Sequence, residues 1–401
     1  MKRILFVDDE PAVLAGLRDL LWRRRRDWDM VFALGGEAAL EYLRTSRFDV
    51  LVTDVRMPRL DGPSLLVRAQ ESNPEVARIV LSGYVDEEAT LRALPVAHQF
   101  LTKPCDASLL ENTIERACSI QALIVDRKLR EFVGQISSLP SRPAVYSTLV
   151  SRLAKDTTSA REVAEVLEQD LALSAKLLQI VNSAFFALPR RITRIEDAVA
   201  YLGFRAIRDM TLSASVFGTA AETRGVSLES LQRHALLVGG LARRVVKDRH
   251  QADDALAAGM LHDIGILILA SRLPNRLERT IGKLREKPAL LRDVERELWG
   301  VTHADLGAYL LGLWGLPYPI VEAVAYHHHP TVVPQRGLDV LAAVHIADSL
   351  VREATGDHCG IEGAKVSPID SAYLESIGAI DSLEDWRELA REFASAPAAG
   401  A

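Results

Sequence analysis

The chain changes rhythm near residue 105. Before that point, short apolar runs at 4–7, 30–33, 50–53, 79–82 and 99–102 alternate with longer amphipathic stretches at 12–22, 36–45, 63–72 and 87–93. The short runs are rich in Val, Ile, Leu and Phe and are bounded by acids, Gly or Pro. That is the pattern of strands buried on both faces. The longer stretches place their apolar residues at helical spacing. Strand and helix signals in strict alternation predict an α/β domain, a doubly wound five-stranded parallel sheet.

After Pro104 the strand signals fade. Asp106 can cap a helix, and a helical pattern runs from 106 to 136. Within it Cys118, Ala122, Val125, Leu129, Phe132 and Ile136 alternate steps of four and three. This short heptad predicts a helical linker, either a coiled coil or a helix lying on one of the domains. The proline-bearing stretch 139–143 breaks it. From 143 to 352 the pattern is helical throughout and falls into two lobes, 144–218 and 228–352. The expected organisation is an α/β domain over 1–120, a linker over 106–136 that overlaps its last helix, an all-α domain over 137–352, and a tail over 353–401 with one helix near 383–393.

Composition narrows the function. The 401 residues are 48% hydrophobic and 25% charged, which suits packed cores and excludes wholesale disorder. A net charge of -6 argues against a nucleic-acid coat or a basic membrane-surface protein. Cys105, Cys118 and Cys359 form no disulfide framework, so a reducing cytoplasm is expected. The opening MKRILFVDDE is no signal peptide, and no apolar stretch is long enough to suggest membrane insertion. Two weaker signals lean toward nucleic acid. One is Arg23–Arg26 between Trp22 and Trp28. The other is a helix-turn-helix-like segment over 195–210 with Arg205 and Arg208. Each also reads as ordinary structure, a solvated helix end and two bundle helices meeting at Gly203, and those readings are favoured.

Asp8 and Asp9 follow the first predicted strand and Asp54 the third. Ser82 ends the fourth, and Lys103 follows the fifth. In a parallel sheet these side chains converge at one edge. Carboxylates held together need a counter-charge, which a hard cation such as Mg²⁺ supplies. An Asp beside such a cation and a Lys can attack phosphorus and form an acyl phosphate.

These residues resemble the receiver domain of response regulators. The resemblance rests on VDDE at 7–10, TDVRMPRLDG at 53–62, LSG at 81–83 and FLTKP at 100–104. It implies that Asp54 is the phospho-acceptor and that a histidine kinase is the phosphoryl donor. It also implies that Asp9, Asp54 and the backbone carbonyl of Arg56 hold Mg²⁺, with Asp8 acting through a metal-bound water. Ser82 and Lys103 would contact the phosphoryl group, Phe100 would be the aromatic switch, and Gly62 would allow a tight turn.

Eight of the ten histidines lie between His234 and His345. His234, His262, Asp263, His303, His327, His328 and Asp348 combine imidazoles with carboxylates, the donor set of Fe, Mn or Zn sites. Residues from about 136 to 335 resemble the HDOD domain, a relative of HD-type metal phosphohydrolases. The motifs are SLPSRP at 138–143, QDLALSAKLLQIVNSAFF at 169–186, ITRIEDAVAYLG at 192–203, AAGMLHDIGIL at 257–267, THADLGAYLLGLWGLP at 302–317 and AYHHHP at 325–330. HDOD domains are mostly non-catalytic signalling outputs, so the resemblance implies an unidentified partner protein, with a homodimer as a further option. In HD-GYP relatives the motif reads HDxGK. Here Ile266 stands in place of the Lys, and the GYP stretch is absent. Two alternatives stay open beside the interaction module. One is a metal-dependent phosphodiesterase acting on a cyclic dinucleotide such as cyclic-di-GMP. The other is a DNA-binding regulator.

Overall fold

The structure, a computed structural model, describes residues 1–82, 92–93, 96–103, 105–121, 123–136, 139, 143–153, 158–182, 191–212, 226–333, 337–356 and 361–395. The chain forms two compact units. One comprises Met1–Ser138 with Gln179–Arg191 and Tyr309–Leu316; the other comprises Leu139–Leu178, Ile192–Ala308 and Pro317–Ala401.

The first unit holds β1 (Lys2–Asp8), β2 (Trp28–Leu34), β3 (Val50–Asp54), β4 (Ala77–Ser82) and β5 (Gln99–Thr102). They form one parallel sheet in the order β2-β1-β3-β4-β5. β3 and β4 are buried along their whole length, which is why their sequences run apolar without alternation. The chain crosses from β1 to β2 on one side and to β3 on the other. The ends of β1 and β3 therefore flank the switch point where such sheets open a crevice. Around the sheet run α1 (Pro11–Leu20), α2 (Gly36–Thr45), α3 (Gly62–Ser72) and α4 (Ala107–Gln121). The helix expected over 87–93 lies almost wholly outside the described residues.

The long linker helix is corrected. After α4 the chain leaves the helix and restarts as α5 (Arg127–Gly134). Asp126 caps α5 by accepting the Lys128 amide at 2.9 Å. Cys118, Leu129 and Ile136 are buried, but Val125 is 89% exposed, so the heptad positions form no continuous stripe. Besides buried Leu129 and Val133 and the ion pair of Arg127 with Glu75, α5 is held by Arg78, a buried residue at the start of β4. Its guanidinium donates to the carbonyls of Gly134 at 2.8 Å, Val96 at 2.6 Å and Pro74 at 3.1 Å. Burial pushes the Arg78 pKa down to about 9, and the carbonyl oxygens satisfy its donors.

The second unit is helical. In its first lobe α6 (Pro143–Leu153), α7 (Ala160–Leu167) and α9 (Ile195–Leu212) pack together, and α8 (Leu171–Val181) lies between α7 and α9 in sequence. Ser159 and Glu162 close a capping box at the start of α7. Gly203 kinks α9 with a φ of 76°, at the turn of the helix-turn-helix-like segment. The side chains of Arg205 and Arg208 lie outside the described residues.

The second lobe holds α10 (Leu228–Val245), α11 (Arg249–Leu261), α12 (Ile264–Arg272), α13 (Pro274–Glu286), α14 (Leu291–Trp299), α15 (His303–Leu313), α16 (Tyr318–Tyr326) and α17 (Val340–Thr355). α10, α11 and α17 pack on one another, and α16 packs on α11 and α17. The stretch Gln251–Arg272 is long and apolar enough to cross a membrane, but 83% of its most apolar 18-residue window is buried inside the protein.

The region beyond 352 is not a detached tail. After α18 (Ser371–Ser376), α19 (Leu383–Ser395) packs on α10 and α17, burying Leu383 and Ala390. Residues 361–367 fold back as well: the Lys365 amide donates to the Ala289 carbonyl at 2.8 Å.

Candidate functional site

Two polar clusters lie where an apolar interior would be expected. The first sits at the carboxyl edge of the sheet. Asp8 and Asp54 end β1 and β3, and both are buried. The Lys103 ammonium lies 2.7 Å from Asp8 Oδ2 and also pairs with Asp54 Oδ1. Burial raises the pKa of Asp54, against the opposing pull of Lys103. Burial works against the charge of Lys103, but Asp54 and Asp8 outweigh it and raise its pKa. The Arg56 amide donates to Asp54 Oδ2 at 2.8 Å, so the chain turns tightly around the carboxylate. Gly62 makes that turn feasible, since a Cβ there would lie 2.2 Å from the Asp54 carbonyl oxygen. Ser82 is buried, and its hydroxyl has no hydrogen-bond partner. Phe100 is buried in the same core as Val55 and Met57. Asp9 is half-buried just beyond β1 and makes no hydrogen bond or ion pair to the others. The expected residues thus lie at one edge, with Asp8, Asp54 and Lys103 in direct contact.

The second cluster lies in the helical unit. His234 comes from α10, His303 opens α15 and Asp348 sits on α17. His262 and Asp263 lie between α11 and α12, and His327 and His328 follow α16. All seven come together. Donor atoms of Asp263, His303, His327 and His328 lie within 4.8 Å of one another, as do those of His234, His262 and Asp348.

The imidazoles are oriented from behind. His262 Nδ1 donates to the Gly259 carbonyl at 2.7 Å, and His327 Nδ1 to that of Val324 at 2.9 Å. A ring nitrogen facing a carbonyl must carry the proton, so each Nε2 is the ring nitrogen turned into the cluster; that of His262 would have to give up its own proton before it could bind a metal. Both Nε2 atoms are buried without a hydrogen-bond partner, and so is Asp263 Oδ1. His262 Nε2 approaches Asp263 Oδ2 to 3.3 Å and Asp348 Oδ1 to 3.5 Å, but not in line for a hydrogen bond. His303 Nδ1 is held at 2.7 Å by buried Glu295, and its Nε2 lies 3.1 Å from His328 Nε2. Converging ring nitrogens with carboxylate support behind them fit a transition metal, whose binding would displace the ring protons.

The glycine of the His262-Asp263 motif has a matching reason. A Cβ on Gly265 would lie 1.8 Å from the His303 carbonyl oxygen. Only Gly lets α12 start this close to His303.

The cluster also contains a cation of its own. Arg352 donates Nε to Asp348 Oδ1 and Nη2 to Asp263 Oδ2, each at 2.6 Å. Burial works against charge on both carboxylates. The positive charge of Arg352 and His262 prevails and holds them well below the usual range. Burial likewise opposes charge on His262 and His303. Asp263 carries His262 up to about 9, and Glu295 with Asp263 carries His303 up to about 10. Burial pushes His327 down to about 3 and holds His328 well below the usual imidazole range. His345, outside the ligand set, is structural: Nδ1 donates to the His327 carbonyl at 2.7 Å, and Nε2 accepts the Asp370 amide at 3.2 Å.

Residues 4–115 match the family model of the response regulator receiver domain, and residues 139–330 match that of the HDOD domain. The chain carries an N-terminal receiver domain and a C-terminal HDOD domain. An uncharacterized protein of Treponema pallidum is 24% identical to it over 257 residues, 61% of this chain and 50% of that protein. The transcriptional regulatory protein ZraR of Escherichia coli K12 is 27% identical over 306 residues, 76% of this chain and 64% of that one. The chain therefore spans 50% and 64% of the length of these two relatives. The sensor kinase CckA of Brucella abortus is 36% identical over 117 residues, 28% of this chain and 12% of the kinase. Among solved structures, the MmoQ response regulator of Methylococcus capsulatus is 20% identical with a TM-score of 0.49, covering 62% of this chain and 98% of that one.

Sequence reasoning missed Glu295 and Arg352. Arg352 stands four residues after Asp348, a spacing that pairs charges on a helix. Glu295 meets His303 across a helix break, and only the fold shows that.

Proposed function

We propose that phosphoryl transfer to Asp54 from a histidine kinase controls the HDOD domain, which acts as a binding module for a partner protein. The observation that carries this is the Lys103 ammonium paired with both Asp8 and Asp54 beside the buried, unpartnered Ser82 hydroxyl. Asp54 Oδ1 attacks phosphorus, and the donor's imidazole leaves with the electron pair. Lys103 then pairs with a phosphoryl oxygen, and Ser82 donates to another. Mg²⁺ held by Asp8, Asp9, Asp54 and the Arg56 carbonyl supplies further positive charge when bound. Acetyl phosphate with Mg²⁺ should give a base-labile adduct on the wild type and none on Asp54→Asn. An adduct on the variant refutes the assignment.

The unpartnered Nε2 atoms of His262 and His327 favour a second property, transition-metal binding in the HDOD domain. Fe, Mn or Zn would be held by His234, His262, Asp263, His303, His327, His328 and Asp348. Hydrolysis is the weaker reading, because Arg352 already takes one oxygen of each carboxylate. Metal analysis of the chain purified without chelator should show bound metal that His262→Ala loses. Cyclic-di-GMP turnover on the order of one per second would reverse the preference and make the domain an enzyme.

A further inference from the structure

A shallow crevice with about 30 Å³ of enclosed space, open to solvent at its mouth, lies against the outer side of the histidine cluster. His303, His328 and Arg352 form its inner wall, and Ile266 lies beside them. The rest comes from outside the motifs: Arg292 on α14, and Lys365 and Ser367 from the stretch that folds back after α17. No lining residue is a carboxylate.

The charges in this wall are not equivalent. Arg352 is compensated by Asp348 and Asp263. Arg292 donates Nη1 to Ser367 Oγ at 2.5 Å, and its buried Nε has no hydrogen-bond partner. Its ion-pair contact among the described residues is the exposed Asp293, 3.7 Å from Nε, and buried Asp348 also acts on it electrostatically. The Lys365 ammonium is exposed and has no ion-pair partner among the described residues. A guanidinium with a spare donor, an ammonium and a hydroxyl around one opening suit a phosphate group. Leu290, Leu291 and Ile361 give the same pocket an apolar side, which suits the organic part of an ester.

We propose that this pocket binds a small phosphate ester, with Arg292 and Lys365 as its cations. Ile266 removes the cation of the HDxGK pattern, and these two residues supply positive charge from other parts of the chain. Lys365 lies beyond the residues that match the HDOD family.

The test is calorimetric titration of the full chain, with chelator present, using orthophosphate, guanosine monophosphate and cyclic-di-GMP as separate probes. At least one probe should bind saturably at millimolar concentration or below. Losing a charge-assisted hydrogen bond typically weakens binding by roughly 10–100-fold, the loss expected for Arg292→Gln and Lys365→Gln. Lys365 is exposed, so Lys365→Gln keeps the test valid if Arg292→Gln fails to fold. Tighter binding of an ester than of orthophosphate assigns the ester as the ligand. Equal affinity reduces the site to one for the free ion and overturns the ester. Absence of saturable binding, binding that needs added metal, or affinity unchanged in Lys365→Gln overturns the proposal. Asp54→Asn should bind as the wild type does, which separates this outcome from the fate of the receiver reading.

Discussion

Replacing Arg352 by Met keeps much of the side-chain volume and removes the charge. In the wild type the guanidinium bonds Asp348 and Asp263 at 2.6 Å each. The two carboxylates fare differently without it. Asp348 retains His234 at 3.0 Å. Asp263 Oδ1 already lacks a hydrogen-bond partner, so losing Nη2 strips a buried carboxylate of its remaining aligned donor. Breaking a buried pair in this way costs about 3–5 kcal/mol. In a domain of this size that corresponds to a fall in melting temperature of roughly 6–20 °C. A transition metal restores the lost positive charge. A ligand that binds only the folded state at about a thousand times its Kd returns about 4 kcal/mol. Scanning calorimetry of the full chain should therefore show a wide gap between variant and wild type in chelator. The gap should shrink to a few degrees in saturating Mn²⁺ or Zn²⁺. An equal gap under both conditions would show that Arg352 supports the fold without standing in for a metal. A fall under about 2 °C would refute the energetic reasoning itself.

Two other outcomes follow from single residues. Gly62→Ala puts a Cβ 2.2 Å from the Asp54 carbonyl oxygen. It should cost about 1–3 kcal/mol in urea unfolding and slow acetyl-phosphate labelling; wild-type values for both would contradict the close approach. Burial lowers the Lys176 pKa from 10.5 to about 8. Below the folded value both states are protonated and the burial cost is felt in full. Between the two values the unfolded chain binds more protons, so stability should rise with pH. The rise should reach roughly 3 kcal/mol and be missing in Lys176→Met; parallel pH curves for the two proteins would exclude it.

The sheet was readable because β1, β3, β4 and β5 each carry a short apolar run closed by an acid, Ser or Lys, and the run in β2 ends at Gly35. The strands at 4–7 and 79–82 extend by one or two residues into polar positions such as Lys2 and Arg78 that periodicity does not mark. The break between α4 and α5 was not readable, because Val125 has the right spacing and the wrong exposure. Its exposure is settled by the cap at Asp126 and by Arg78, which reaches Gly134 from 56 residues away. The candidate metal ligands were legible from residue type and order. The cation among them was not, since Arg352 meets Asp263 across 89 residues. Arg292 and Lys365 carry no motif, and only the fold brings them to one opening.

The satisfaction of Arg78 also says where this receiver can be divided from its output. Truncation after α4 deletes the Gly134 carbonyl and leaves a buried guanidinium short of an acceptor. A graft of this receiver onto a foreign effector has its workable seam after Ile136. The eight-residue α5 then travels with the sheet as part of the module and is not free to serve as a spacer.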